Sequence, residues 1–347
     1  MQMEEYPRES NVLASCRSAS CGDWSPRLVV GGLRTSQGLA GVVCSRIHVR
    51  HTKSEARLQL QSNPNATLSR MAALEEYFGQ AVLRDDTFVC SSYSPCRQSH
   101  AGDFFEGQLH HVGDHYDLLL DGRPFRIAVV GQEYGNWPPK VTMSERHRMV
   151  AVETGLRKRF KSDGHNEARN RHMRGTTSVL RLLLGQPLGI DFAREFIRLG
   201  SDSVHIYEAF ALTNFHLCSA VAQGADPRER GAAGNRIVSS KRGKSTPTMQ
   251  RNCARHFRRM LEILEPTVLI AQGKDVGRWM SLAFDGANQI SDTITAATVG
   301  AHRCLVASFT HPSAHASYDW GNNDRTPYLL GTVAPTVAEI HRRLLAN

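Results

Sequence analysis

Arg126-Ile-Ala-Val-Val-Gly131 is a short apolar run closed by glycine, and it decides how the rest of the chain is read. A run this short, rich in β-branched residues, predicts a strand buried on both faces. Three similar runs come later: His205-Ile-Tyr-Glu-Ala-Phe-Ala-Leu212, Thr267-Val-Leu-Ile-Ala271 and Arg303-Cys-Leu-Val-Ala-Ser308. Helical periodicity opens at Met71 and runs to Leu83. It returns in a polar, basic stretch to about Arg174, then at Thr177–Leu184, Asp191–Leu199, about Thr248 to Leu264, Lys274–Leu282 and Pro335–Leu345. Strands alternating with helices imply βαβ units, hence an α/β fold with a parallel sheet carrying helices on both faces.

Residues 1–66 differ from the rest of the chain. They are rich in Ser, Gly and Arg, sustain no apolar period, and read as a disordered extension, leaving 67–347 as the folded domain. No run approaches the eighteen apolar residues that a membrane span needs. The first residues lack the basic start and apolar core of a secretory signal, so a cytoplasmic chain is expected. In that setting the eight cysteines point to thiols or a metal rather than to disulfides. The formal charge is +9. Asp226 to Arg259 holds ten Lys/Arg against two acids, +8 by itself, within and beside an insertion at about 219–252. Neutralising DNA phosphates is the natural use of such a stretch, and a solvated loop is its plainer alternative.

The sequence just beyond each strand carries the polar chemistry. The first strand runs into Gly131-Gln-Glu-Tyr-Gly-Asn136, the second into Thr213-Asn214, the third into Gln272-Gly273, and the fourth into Thr310-His-Pro-Ser313. Ligands of an open parallel sheet bind outside the carboxyl ends of its strands. Glu133, Asn214 and His311 are therefore expected in one crevice, a carboxylate, an amide and an imidazole suited to acid–base chemistry on a polar heterocycle.

Four motifs in order resemble the uracil-DNA glycosylase superfamily, most closely its iron–sulfur members (family 4 and family 5). They are Gly131-Gln132-Glu133-Tyr134-Gly135, Thr213-Asn214-Phe-His-Leu-Cys218, Cys253 through Leu264-Glu-Pro-Thr-Val-Leu-Ile-Ala-Gln-Gly273, and His311-Pro312-Ser313. The resemblance spans roughly residues 85–345. It implies a three-layer αβα sandwich with a central, mainly parallel four-stranded sheet. The implied activity is that of a monomeric, monofunctional DNA glycosylase, in DNA repair or anti-phage defence. No lysine is placed for Schiff-base chemistry, and no nucleotide cofactor or membrane partner is implied.

The resemblance also distributes roles. Glu133 aligns with the aspartate of the cluster-free enzymes and would stabilise the sugar cation and orient the attacking water, while Gln132 aligns with the family 4 glutamate. His311 would donate to the pyrimidine O2 as charge develops there. Asn214 would read the Watson–Crick edge of an extruded base, and His172 falls where family 4 places a stacking aromatic. Tyr134 replaces the usual proline. Gly135 stands where the cluster-free enzymes carry a tyrosine that excludes C5 substituents. The substrate is thus uracil or a modified pyrimidine, with a bulky 5-substituted cytosine of phage DNA as the alternative. A catalytically silent sensor of modified bases is the alternative of another class. Cys90, Cys96, Cys218 and Cys253 are the implied ligands of a [4Fe–4S] cluster, with zinc or unligated buried thiols as the rivals. Lys241, Arg242, Lys244, Ser313 and His315 would face DNA, with His315 or Tyr318 as the residue that enters the duplex.

Overall fold

The computed structural model describes residues 59–100, 102, 104–133, 140–220 and 245–346. Tyr134, Gly135, Lys241, Arg242 and Lys244 lie outside the described residues, as do residues 1–58. The α-helices are α1 (Pro64–Ala81), α2 (Tyr93–Gln98), α3 (Met143–His147), α4 (Arg171–Leu183), α5 (Pro247–Leu264), α6 (Lys274–Met280) and α7 (Ala334–Ala346). The main sheet is built from β1 (His111–Val112), β2 (Ile127–Gly131), β3 (Ala211–Asn214), β4 (Val268–Gln272), β5 (Gly286–Gln289), β6 (Ile294–Val299) and β7 (His302–Phe309).

The sheet order is β5-β6-β7-β4-β2-β3-β1. The inner strands β7, β4, β2 and β3 are parallel to one another, as the four apolar runs predict. Every residue of β2, β3 and β4 is buried. Alternate residues of these strands feed two separate cores, as the two-residue period of a strand requires. Ile127, Val129, Val268, Ile270 and Phe309 pack with Val179 and Leu183 of α4 and Ile340 of α7. Ala128, Val130, Leu269 and Ala271 pack with Phe78 of α1, Phe257 and Leu261 of α5 and Val276 of α6.

Several expectations are corrected. The sheet has seven strands rather than four, because antiparallel strands flank the parallel ones on both sides. These edges lack any apolar run: β5 is Gly-Ala-Asn-Gln, exposed throughout, and β1 has only two residues. Asp191–Leu199 is not a helix. The Asp191 carboxylate accepts from the Ala193 amide and caps a single 3-10 turn, Phe192–Glu195. Phe196–Leu199 then pairs antiparallel with Asp202–His205 across Gly200, which has φ +63°. Ile197 and Leu199 are buried and Arg198 between them is exposed, a strand alternation that overrides the helical reading.

The second strand likewise begins only at Ala211. The His205 ring accepts from the Tyr207 amide and starts a 3-10 turn at Ile206–Glu208, which takes these residues out of the sheet. The stretch read as a continuous basic helix divides into α3, a π-helix at Arg148–Leu156 and irregular chain. Asn170 then caps α4, which starts at Arg171 rather than Thr177. Helix α1 starts at Pro64, capped by Asn63, and Leu60–Ser62 is a strand paired with Leu118–Leu120, so residue 66 is too late a boundary. The insertion also ends earlier than expected, since Thr246 caps α5 at Pro247.

Candidate active site and metal centre

The chain passes from β2 to β3 on one side and then to β4 on the other side of β2. That reversal opens a crevice at the carboxyl ends of these strands. Asn214, the last residue of β3, is in register with Gly131, the last of β2. The fit there is close: a Cβ at Gly131 would lie 2.9 Å from Asn214 Oδ1 and 3.9 Å from the Cε1 and Nε2 atoms of His172. Glycine at 131 thus lets the amide and the imidazole close over the strand end. The pairing continues past the strands, with the Phe215 amide on Gly131 O at 2.9 Å and the His216 amide on Gln132 O at 2.8 Å. These bonds fix the backbone that leads into Glu133.

Glu133 Oε2 accepts from the Ala220 amide at 3.2 Å, while Oε1 is buried with no hydrogen-bond partner among the described residues. Burial pushes this carboxyl up to about 8, and the Ala220 amide opposes the shift only in part. The group therefore exchanges its proton near neutrality, where a general base is most useful.

His172 sits in the first turn of α4, where Asn170 Oδ1 accepts the Met173 amide at 2.9 Å. Its ring meets that of His311 edge to face, with centroids 5.8 Å apart and planes at 75°. Burial, reinforced by His311 and Arg146, lowers its pKa to about 3, so the ring is neutral. Thr176 Oγ1 donates to His172 O at 3.1 Å and accepts from Gln272 Nε2 at 2.9 Å, which ties α4 to the end of β4. Gln272 Oε1 is buried without a partner among the described residues.

His311 comes after β7 in a loop that the chain braces from behind. Trp320 Nε1 donates to Thr310 O at 2.7 Å, and the Gly321 amide donates to Pro312 O at 2.8 Å. Helix α4 comes so near that a Cβ at Gly175 would lie 2.7 Å from Pro312 Cβ. The Ser313 amide donates to His311 Nδ1 at 3.1 Å, with Ser313 Oγ at 3.2 Å from the same nitrogen. A backbone amide only donates, so Nδ1 is the unprotonated nitrogen and Nε2 carries the hydrogen. Burial depresses the His311 pKa, and the ring is a neutral N–H donor. His315 is exposed just beyond, as is Tyr318, at 58%.

Cys90, Cys96, Cys218 and Cys253 are free and line one small pocket together with Phe88, Met249 and His256. Asn252 Nδ2 donates to Cys96 Sγ at 3.3 Å, and His256 Nε2 lies 3.5 Å from Cys90 Sγ. Burial pushes the Cys253 thiol up to about 12 and also raises Cys218 and Cys96, so a metal would have to displace their protons. Four thiols around one cavity are the donor set of a [4Fe–4S] cluster. A single zinc ion fits less well. Zn–S bonds of about 2.3 Å in a tetrahedron put sulfurs roughly 3.8 Å apart. Among the described residues, the trio of potential ligand atoms lying within 4.8 Å of one another is Asp114, His147 and Glu208, and no three of these sulfurs qualify.

Of the residues singled out in the sequence, the structure gathers His172, Asn214 and His311 at the carboxyl ends of the strands. Gln132 and Glu133 follow β2, with the Glu133 carboxylate turned to Ala220, and the four cysteines gather beside Leu217 and Phe88. Cys304, buried inside β7, stands apart from the cavity-lining thiols. Gln272, Ala220 and Gly175 had no signal in the sequence beyond the strand end that precedes Gly273. Comparison with protein-family models and with curated proteins gives no match to this chain.

Proposed function

We propose that the chain is a monofunctional DNA glycosylase that hydrolyses the N-glycosidic bond of an extruded uracil or modified pyrimidine. In this reading the α/β fold is the three-layer sandwich of the uracil-DNA glycosylase superfamily. One observation supports the proposal: the neutral imidazole donor His311 stands against His172, whose ring lies beside the buried amide of Asn214 where the parallel strands end. The raised carboxyl of Glu133 follows the same strand end by two residues. Bond cleavage leaves positive charge on the sugar and negative charge on the departing base. His311 Nε2–H would donate to the pyrimidine O2 as that negative charge grows. Its neutrality suits the task, because a neutral donor stabilises a developing anion without an earlier protonation step. Asn214, with one donor and one acceptor group, would hold the base edge, and His172 would form the wall behind it. Glu133 in its ionised form would take a proton from the water that attacks C1′.

The cysteines Cys90, Cys96, Cys218 and Cys253 would hold an iron–sulfur cluster whose contribution is structural, pinning α2, α5 and the segment after β3 to one another. DNA would be held by the basic segment that includes Lys241, Arg242 and Lys244, with Ser313 and His315 near the backbone and Tyr318 as the residue that enters the duplex. Glycine at 135 supports tolerance of a substituent at the pyrimidine C5 position. The deciding experiment is mass spectrometry of free bases released from duplexes carrying uracil, thymine or bulky 5-substituted cytosines. Release from one of them, slowed at least about a hundredfold in Glu133→Ala and His311→Ala, is expected. A protein that binds these DNAs and releases nothing is a sensor, and the enzyme reading then fails.

A further inference from the structure

Three metal-ligating side chains meet at the edge of the sheet opposite the crevice. Asp114 lies in the turn after β1, His147 closes α3, and Glu208 ends the Ile206–Glu208 turn ahead of β3. One ligand atom of each lies within 4.8 Å of the other two. Val112 of β1 pairs with Ala211, the first residue of β3, whereas the crevice lies beyond Asn214, its last.

The main chain brings the two carboxylates together. The Gly113 amide donates to Phe210 O at 3.0 Å, the His115 amide to Glu208 O at 2.8 Å, and the Asp114 amide to Glu208 Oε2 at 3.3 Å. A Cβ at Gly113 would stand 2.4 Å from the carbonyl carbon and oxygen of Glu208, so glycine is what permits this approach. Among the described residues no lysine or arginine pairs with either carboxylate, and the group facing Glu208 is His147, with Nε2 3.7 Å from Oε2. Two like charges held this close repel unless a proton, an imidazolium or a metal ion lies between them, and a bound cation would relieve that repulsion.

His147 is oriented as a ligand. Its Nδ1 lies 3.1 Å from Val112 O. A carbonyl only accepts, so Nδ1 holds a proton, and it is Nε2 that faces Glu208 and would offer its lone pair to an ion there. Metal-bound imidazoles are commonly set in this way, by a backbone carbonyl on the other nitrogen. Buried His111 stands 5.2 Å away, ring to ring, with Nε2 on Tyr207 O and Nδ1 without a partner among the described residues.

We propose that Asp114, His147 and Glu208 bind one divalent first-row transition metal of the Mn²⁺/Zn²⁺ class, at a site separate from the thiols. One imidazole with two carboxylates is a donor set of borderline hardness that suits these ions. The ion would clasp three segments far apart in sequence at the amino end of β3.

The full-length protein is dialysed to equilibrium against Mn²⁺ and, separately, Zn²⁺, and bound metal is counted for the parent, Asp114→Asn, His147→Ala and Glu208→Gln. At least one of the two ions should bind with one equivalent that each variant loses or holds at least about tenfold more weakly. Zinc taken up by the thiols is common to parent and variants and cancels in the difference. Asp114 is exposed, so Asp114→Asn keeps its fold, which circular dichroism checks. If neither ion shows an equivalent that depends on Asp114 and Glu208, the proposal is overturned and the trio is an ordinary surface ion pair.

Discussion

The amide of Ser313 donates to Nδ1 of His311 at 3.1 Å, and that contact decides which nitrogen the imidazole presents to the crevice. The backbone supplies the donor, so Ser313→Ala keeps it and should lower single-turnover base release by less than about tenfold. His311→Ala removes the Nε2–H and should cost about 10²–10³ in rate, as the loss of one oxyanion-type donor does. Rates measured at saturating enzyme separate the two variants.

On the proposed mechanism, Glu133 sets the pH profile. With the carboxyl raised to about 8, base release should climb as pH rises through that value and level off above it. Glu133→Gln should flatten the climb. The stability effect has the opposite sense. The folded state binds this proton more tightly than the unfolded chain, so the contribution is full below the ordinary carboxylate pKa and is lost as pH rises through about 8. Glu133→Gln should therefore melt above the parent at pH 9 and close to it at acidic pH, as read by thermal unfolding at both values.

Gly175 is a tight point behind the His311 loop. Gly175→Ala would place its methyl group 2.7 Å from Pro312 Cβ and 3.2 Å from Trp320 Cε3. Overpacking of this kind costs about 1–3 kcal/mol. Urea unfolding should report that loss, and base release should fall more than the stability loss alone explains, because the loop carrying His311 is what must yield.

The proposed iron–sulfur cluster has its own test. Purified protein should be coloured and contain iron, and Cys218→Ser or Cys253→Ser should lose both. Metal analysis and the visible spectrum decide. Colourless protein holding one zinc per chain would replace the cluster with the ion that the sulfur spacing disfavours.

Arg169 and Glu195 pair at 2.7 Å with neither side chain exposed, and His205 Nε2 donates to the same carboxylate at 3.2 Å. Burial works against the charge on Glu195, yet the donors His205 and Arg169 hold its pKa below the usual range. Glu195→Gln leaves a buried guanidinium uncompensated and should cost about 3–5 kcal/mol in chemical denaturation. The stability the pair supplies is present above the ordinary carboxylate pKa and is lost as pH falls through the lower folded value.

The inner strands and their ends were legible in the sequence because burial on both faces demands uninterrupted apolar residues, as in Ile127-Ala-Val-Val. Of the four cysteines that line one pocket, Cys218 and Cys253 were legible from the motifs that carry them, whereas Cys90 and Cys96 lie upstream of the first motif. The edge strands were not, since Gly286-Ala-Asn-Gln meets solvent and its pairing rests on backbone groups that every residue possesses. His205 misled for a different reason: an imidazole capping the Tyr207 amide ends the strand, and side-chain capping leaves no period. Equally hidden were Ala220, which acts through its amide, and Gly175, which acts through having no side chain.

The separation between buried strands and the residues beyond them has a consequence for how such a chain changes over time. Glu133 and His311 stand two residues past the ends of β2 and β7, and Asn214 closes β3, so altering what they meet leaves the two cores untouched. If the proposed function holds, the scaffold can be inherited nearly intact while the set of bases it accepts is rewritten one loop at a time.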